Sequence, residues 1–320
     1  MLHDGPQSGL ASNNEGALAS AAQLASATVP AVAPRQFAIE GYRPLPSFFI
    51  IGPPRTGTSW LHEVLSGHLA LPEPTKETRF FDDHFHRGLG WYLRHFPKSN
   101  CARETGEIAP TYFASVLARV RIQKTVPQAR IVCIFRNPLQ RVLSLYRVKR
   151  AYGLIPWSFD QAIVNDPELL ASGMYATNLK AWQSAFGRER VLATIYDDLR
   201  EQPQLYLDSL LDFLGVPRLA LSPSQICCVH SSESMTQPRN YYWTRGTMAV
   251  ASWLKAWRFD RVVASVKKSP LRGLVLGGGT AFGDVSAELA GKICDLFRPE
   301  IDELEALLNR DFSSWKTLEA

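Results

Sequence analysis

FFIIGPPRTGTSW, residues Phe48 to Trp60, decides how this chain folds. Four apolar residues of strand character, Phe48 to Ile51, break at Gly52 into prolines, an arginine, a second glycine and hydroxyl residues. Leu61, Val64 and Leu65 follow at i, i+3, i+4 spacing, so a helix starts directly behind the loop. Strand, glycine loop and helix together aim backbone N–H groups and a positive helix end at an anion. Gly52 and Gly57 have the spacing of a Walker A loop, but that loop needs GxxxxGK[ST]. Here Thr58 stands in the lysine's place, and the cation, Arg55, lies three residues earlier. An ordinary βα turn with glycines for geometry alone is the plain alternative. Against it stand the donors gathered around Gly57, namely Arg55, Thr56, Thr58 and Ser59, with Trp60 offering a flat face to a base.

The same grammar recurs downstream. In ARIVCIFRNPLQRVLSLY, Ile131 to Phe135 reads as a buried strand closed by Arg136, with Asn137 as helix cap and Pro138 in the first turn. VLATIY, Val191 to Tyr196, leads through Asp197 and Asp198 to a helix whose Leu207, Leu210, Leu211 and Leu214 share a face and which stops at Gly215. Strands alternating with helices predict an α/β fold, a P-loop-like three-layer sandwich with a central parallel sheet flanked by helices. Between Ser231 and Ser286 the pattern loosens into RNYYWTRG and a glycine cluster at Gly277 to Gly279, read as loops over a site. A closing helix near Ala287 to Asn309 keeps Leu289, Ile293, Leu296, Leu304 and Leu308 at helical spacing, with Pro299 as a kink.

Composition bounds the function. With 320 residues, 46% apolar and 20% charged, the chain suits one sizeable globular domain, expected over residues 41–320 behind a flexible Ala/Ser-rich tail at 1–40. That tail has neither a basic n-region nor a continuous apolar run, so the expected location is cytoplasmic, with no membrane span. The net charge of +5 is modest and spread along the chain, which fits an anionic small ligand and not a nucleic-acid footprint. Five cysteines without zinc-ligand spacing read as reduced, buried thiols, and none of the seven histidines has metal spacing. No metal site is expected.

PPRTGTSW resembles the loop that grips the 5′-phosphosulfate in sulfotransferases that use 3′-phosphoadenosine 5′-phosphosulfate (PAPS). The second turn agrees, because those enzymes place an arginine at a strand end and a serine eight residues later on the 3′-phosphate, where this chain has Arg136 and Ser144. A 3′-phosphate suits a fixed guanidinium and a hydroxyl, and Asn137-Pro138 opens a helix whose dipole adds to the attraction; Arg141 supplies further charge nearby. The resemblance implies cofactor contacts at Arg55, Thr56, Gly57, Thr58, Ser59, Trp60, Arg136 and Ser144.

Resemblance extends from about Phe48 to Trp315 and is nearest to heparan sulfate sulfotransferases and bacterial relatives, with KETRFFDDHFHRGLGWYLRHFP as the densest match. In that group a Lys-Glu pair and Phe-Phe-Asp sit beside the transferring sulfuryl group, which implies Glu77 as general base, with Lys76 and Arg55 neutralising the leaving phosphate oxygen. Arg79, Asp82, Tyr112 and Phe113 are the implied acceptor contacts, with Trp91, Tyr92 and Tyr241 to Trp243 as further aromatic walls. Tyr175 and Tyr196 read either as ligand neighbours or as core, and Arg239 or Arg245 as a cofactor clamp. Departures exist: Arg55 and Arg79 replace a lysine and a histidine, and in GEIAPTYF Ile108 stands where the family has a glycan-facing lysine, which argues against heparan itself.

The expected activity is transfer of the sulfuryl group from PAPS, leaving PAP, to a hydroxyl, and less readily an amine, on a carbohydrate, glycolipid or secondary metabolite. The rival readings are a P-loop kinase with Asp197 holding magnesium, and a nucleotide-binding module without turnover. Oligomeric state stays open.

Overall fold

The computed structural model describes residues 43–97, 103–227, 236–238, 240–256, 278–283 and 285–317. The expected tail at 1–40, Arg239, Cys101, Cys228 and Gly277 lie outside the described residues.

Four parallel strands form the central sheet in the order β2-β1-β3-β4: β1 (Phe48–Ile50), β2 (Gly106–Ile108), β3 (Arg130–Phe135) and β4 (Val191–Ile195). Parity along the strands sorts the core into two layers, because successive side chains point to opposite faces. Phe48, Ile50, Val132 and Ile134 pack with Leu61, Val64 and Leu65 of helix α1 (Thr58–Leu65). Phe49, Ile131, Cys133 and Phe135 face the other way, where Ala118 and Ile122 of α2 (Val116–Thr125), Leu139 and Val142 of α3 (Pro138–Ala151), and Leu179 and Trp182 of α4 (Tyr175–Phe186) cover them. This is the expected sandwich.

Local signals explain most boundaries. Asn137 caps α3 by accepting from the Gln140 amide at 3.2 Å, with Pro138 in the first turn. After β4 the chain coils at once at Tyr196–Glu201, then restarts at Pro203, which fits a first turn because its missing N–H needs no partner there. The resulting α5 (Pro203–Leu214) buries Leu207, Leu210, Leu211 and Leu214 and ends at Gly215 with φ 69°.

The stretch after Ser231 and one thiol depart from expectation. The stretch read as loops contains helix α6 (Tyr241–Ala256), opened by Asn240, whose Oδ1 accepts from the Tyr242 amide at 2.9 Å. Part of the glycine cluster is strand β6 (Gly278–Ala281), paired antiparallel to β5 (Thr236–Pro238), since small residues tolerate the extended backbone once a partner strand supplies hydrogen bonds. Helix α7 (Ala287–Leu308) runs through Pro299 and buries Ile293, Phe297, Ile301 and Leu304, while Leu296 is exposed. Glu300 on this helix accepts from the Thr177 amide (3.0 Å) and hydroxyl, which ties α7 to the start of α4. Cys133 and Cys294 are buried free thiols as expected, but Cys227 is exposed.

The glycine at the loop's end is required twice over. Gly57 has φ 89°, and a Cβ there would lie 2.7 Å from Leu199 Cδ2 and 3.2 Å from the Tyr196 ring. Gly57→Ala should therefore cost about 1–3 kcal/mol, read as a lower urea midpoint at unchanged slope.

Candidate active site

Strand order creates the site. From β1 the chain passes to β2 on one side, and from β3 it passes to β4 on the other, so the crevice at their carboxyl ends is the switch point where open α/β sheets bind ligands. The Gly52–Gly57 loop leaves β1 there and Arg136 closes β3 beside it. Inside the loop, the buried Thr56 hydroxyl donates to the Pro53 carbonyl at 2.8 Å, and Arg55 holds φ 79°, a conformation rare for a residue with a side chain. Among the described residues no side chain caps α1, which leaves first-turn N–H groups for an anion.

Sequence-distant cations meet at this loop. Arg55 Nε donates to Ser144 Oγ at 2.9 Å, and Arg136 Nη1 donates to the Arg55 carbonyl at 3.3 Å. The Arg136 guanidinium lies over the Tyr196 ring, 4.7 Å from its centroid, and its buried Nε has no hydrogen-bond partner among the described residues. Tyr175 contributes from behind, its hydroxyl donating to the Arg136 carbonyl at 2.8 Å. From the opposite side, Lys76 Nζ donates to Ser59 Oγ at 3.0 Å and stands 3.6 Å from Glu77 Oε1.

Burial shifts these groups toward neutrality. It pulls the Arg55 and Lys76 pKa values down, helped in Arg55 by the Arg136 guanidinium, and it pushes the Glu77 carboxyl above its ordinary range against the opposing pull of Lys76. Crowded, partly desolvated cations favour an anion between them, and a carboxylate of raised basicity beside them suits proton removal.

A model described as a sulfotransferase domain matches residues 45–246. The chain belongs to the sulfotransferase family. It is 32% identical over 195 residues to bifunctional heparan sulfate N-deacetylase/N-sulfotransferase 2 of Bos taurus, and 32% identical over 194 residues to the type 1 protein of Mus musculus. These matches cover 54% and 53% of this chain but only 22% of each relative's length. In fold it is similar to a sulfotransferase from Alicyclobacillus acidocaldarius, with TM-score 0.61 and 22% identity over 86% of this chain and 100% of that one.

Within this sulfotransferase domain, Arg55, Ser59, Lys76, Glu77, Arg136 and Ser144 lie around the loop that ends at Gly57. Other expected contacts do not reach an open surface. Tyr112 and Phe113 are fully buried, as is Tyr92, so none of the three lines an acceptor cleft; their rings pack against Phe49, Phe80, Phe81 and Tyr175. Trp60 is 8% exposed, packs in the α1 layer, and donates its indole N–H to the Gln225 carbonyl at 2.7 Å. Arg141 is also fully buried and donates to Ser172 Oγ and the Leu169 carbonyl, because its helical position turns it from the crevice into the core. Ile108 is buried in the α1 layer, so its identity carries no information about acceptor charge.

Arg79 and Asp82 stay near the surface of the turn after Glu77. Arg79 pairs with Asp83 at 2.8 Å and faces Asp82 at 3.8 Å, and Arg121 holds the turn by donating to the Phe81 and Asp82 carbonyls. Arg245 is exposed and donates to Tyr241 Oη at 3.1 Å, while Tyr242 and Trp243 project beside it on α6. Among the described residues no cluster of His, Cys, Asp or Glu forms a metal site, and no helix is long and apolar enough to cross a membrane.

Sequence reading passed over Glu107. It sits in β2, fully buried, and accepts from the Thr78 amide (3.0 Å), the Thr78 hydroxyl (2.6 Å), Tyr92 Oη (2.7 Å) and Tyr112 Oη (3.3 Å). A lone carboxylate inside a buried parallel strand was the available signal. Burial pushes its pKa up to about 7, against the pull of those hydrogen bonds. A raised folded value means that the protonated form adds stability below the unfolded pKa, and that this is lost as pH rises through about 7. The shift from the ordinary 4.5 corresponds to on the order of 3 kcal/mol. Urea unfolding at about pH 5 and about pH 8 should show wild type losing stability relative to Glu107→Gln as pH rises; curves that stay parallel contradict a titrating Glu107.

Proposed function

We propose that this protein transfers the sulfuryl group of PAPS to a hydroxyl, and less readily an amine, of a small-molecule or glycan acceptor. The observation that carries this reading is the convergence of Arg55, Ser144 and Arg136 on one loop, with Lys76 and Glu77 closing its other side. Arg136 and Ser144 would hold the 3′-phosphate, for which the unpartnered buried Arg136 Nε is a ready donor. The amides and hydroxyls at residues 56–59 would hold the 5′-phosphosulfate at the uncapped start of α1.

PAPS supplies an electrophilic sulfur and a good leaving group, a phosphate oxygen. Glu77 takes the proton of the acceptor hydroxyl as its oxygen forms the new bond to sulfur; the bond from sulfur to the 5′-phosphate oxygen breaks in line, and that oxygen keeps the electron pair. Lys76 and Arg55 neutralise the charge that grows there, the point at which fixed cations lower such a barrier most. A kinase reading has no observation in its favour, since the Walker lysine position holds Thr58, which is 4% exposed at the helix start.

Cofactor choice is tested by thermal shift. Adenosine 3′,5′-bisphosphate without magnesium should raise Tm more than ATP with magnesium, because only the former fills both anion positions; the opposite order rejects the proposal. Arg136→Ala should weaken bisphosphate binding by about tenfold, as expected for one lost charge-assisted contact. Glu77→Gln should abolish sulfate transfer from labelled PAPS while bisphosphate affinity stays within about twofold; surviving transfer removes Glu77 as the base.

A further inference from the structure

We propose that Glu107 is a positioning residue that sets the orientation of Glu77 by clamping Thr78, an inference that rests on the sulfotransferase reading above. Register places the clamp. On β2, Glu107 pairs with Phe49 of β1, three residues before the glycine loop begins, and its side chain points to the face occupied by Tyr92 and Tyr112. Glu107 Oε1 receives both the amide and the hydroxyl of Thr78, the residue directly after Glu77. The peptide that carries the proposed base is thereby tied to the same sheet that carries the anion loop.

Two further tethers extend from this carboxylate. Thr78 Oγ accepts from the Phe80 amide at 3.1 Å, and Tyr112 Oη, itself bonded to Glu107, accepts from the Phe81 amide at 3.3 Å. The turn following Glu77 thus hangs on one buried acid. Packing alone does not ask for it: the surrounding cluster is Phe80, Phe81, Tyr92, Tyr112 and Phe113, and a buried carboxylate without a paired cation is costly in such a place. Its four donors are neutral groups, and each oxygen is engaged.

Protonation loosens the clamp. The ionised carboxylate accepts from all four donors, whereas a carboxylic acid must turn one oxygen into a donor, and Thr78 or a tyrosine then loses its partner. The groups facing Glu107 are Thr78, Tyr92 from the short helix Leu89–Leu93, and Tyr112 from the turn Pro110–Tyr112; burial and Glu107 push both tyrosines well above their ordinary range, so neither ionises in competition near neutral pH. The acid limb of the activity profile then reports Glu107 in addition to Glu77.

The test uses Thr78→Val, Thr78→Ser and Glu107→Gln in the full chain, with two readouts. The first is the titration of Glu77 in protein labelled with 13C at glutamate Cδ, its signal assigned by loss in Glu77→Gln; this requires no turnover. Thr78→Val and Glu107→Gln should each displace the Glu77 titration, and Thr78→Ser should restore it. The second is sulfate transfer from labelled PAPS: kcat should fall by about 10- to 100-fold in Thr78→Val, with bisphosphate affinity within about twofold of wild type, and Thr78→Ser should recover most of it. In Glu107→Gln the acid limb should lose one ionisation. An unchanged Glu77 titration in both Thr78→Val and Glu107→Gln overturns the inference, as does a loss of bisphosphate affinity equal to the loss of kcat. Failure of the sulfotransferase reading shows separately, as a wild-type protein that neither binds the bisphosphate nor transfers sulfate.

Discussion

β1 pairs on both sides with parallel strands, and everything at the site depends on that constraint. Because β2 and β3 flank β1 with fixed register, the loop leaving β1, the arginine closing β3 and the carboxylate within β2 are brought within reach of one another although they are separated by tens of residues. Ladder hydrogen bonds hold these distances more tightly than any surface contact would. Loops attached to such a frame inherit its precision, and here they carry Arg55, Arg136 and Glu77.

Electrostatics then explains why the frame is built around a gap. Arg55 and Lys76 are partly desolvated, and Arg136 donates to the Arg55 backbone carbonyl, neither arginine pairing with a carboxylate among the described residues. Like charges held this closely are unfavourable by themselves. A multiply charged anion between them would relieve that repulsion, which is the electrostatic ground of the function proposed above. The positive φ of Arg55 is strain of the same kind, kept in place by Ser144 and by the Thr56–Pro53 bond.

Much of this was legible in the residues. Glycine spacing, the apolar run before it and the i, i+3, i+4 pattern behind it gave strand, loop and helix, and the eight-residue interval from Arg136 to Ser144 pointed to two side chains that do meet at that loop. Less legible was which way each neighbour points. Trp60, Tyr112, Phe113 and Arg141 all have the right chemistry for ligand contacts, yet all four are packed inside. Ile108 and Glu107 show the difficulty most clearly: adjacent in β2, they face opposite layers, and parity in a three-residue strand bounded by turns cannot be assigned without its partners.

Local chemistry is encoded locally, so the sequence alone determined the parallel α/β class, the glycine loop after the first strand and the arginines and lysine gathered around it. Tertiary structure alone decided that Tyr175 supports Arg136, that Trp60 belongs to the core, and that a buried acid on a neighbouring strand anchors the segment bearing Glu77. Those outcomes depend on strand order and on which sheet face each side chain takes, and both are settled only when distant segments pair.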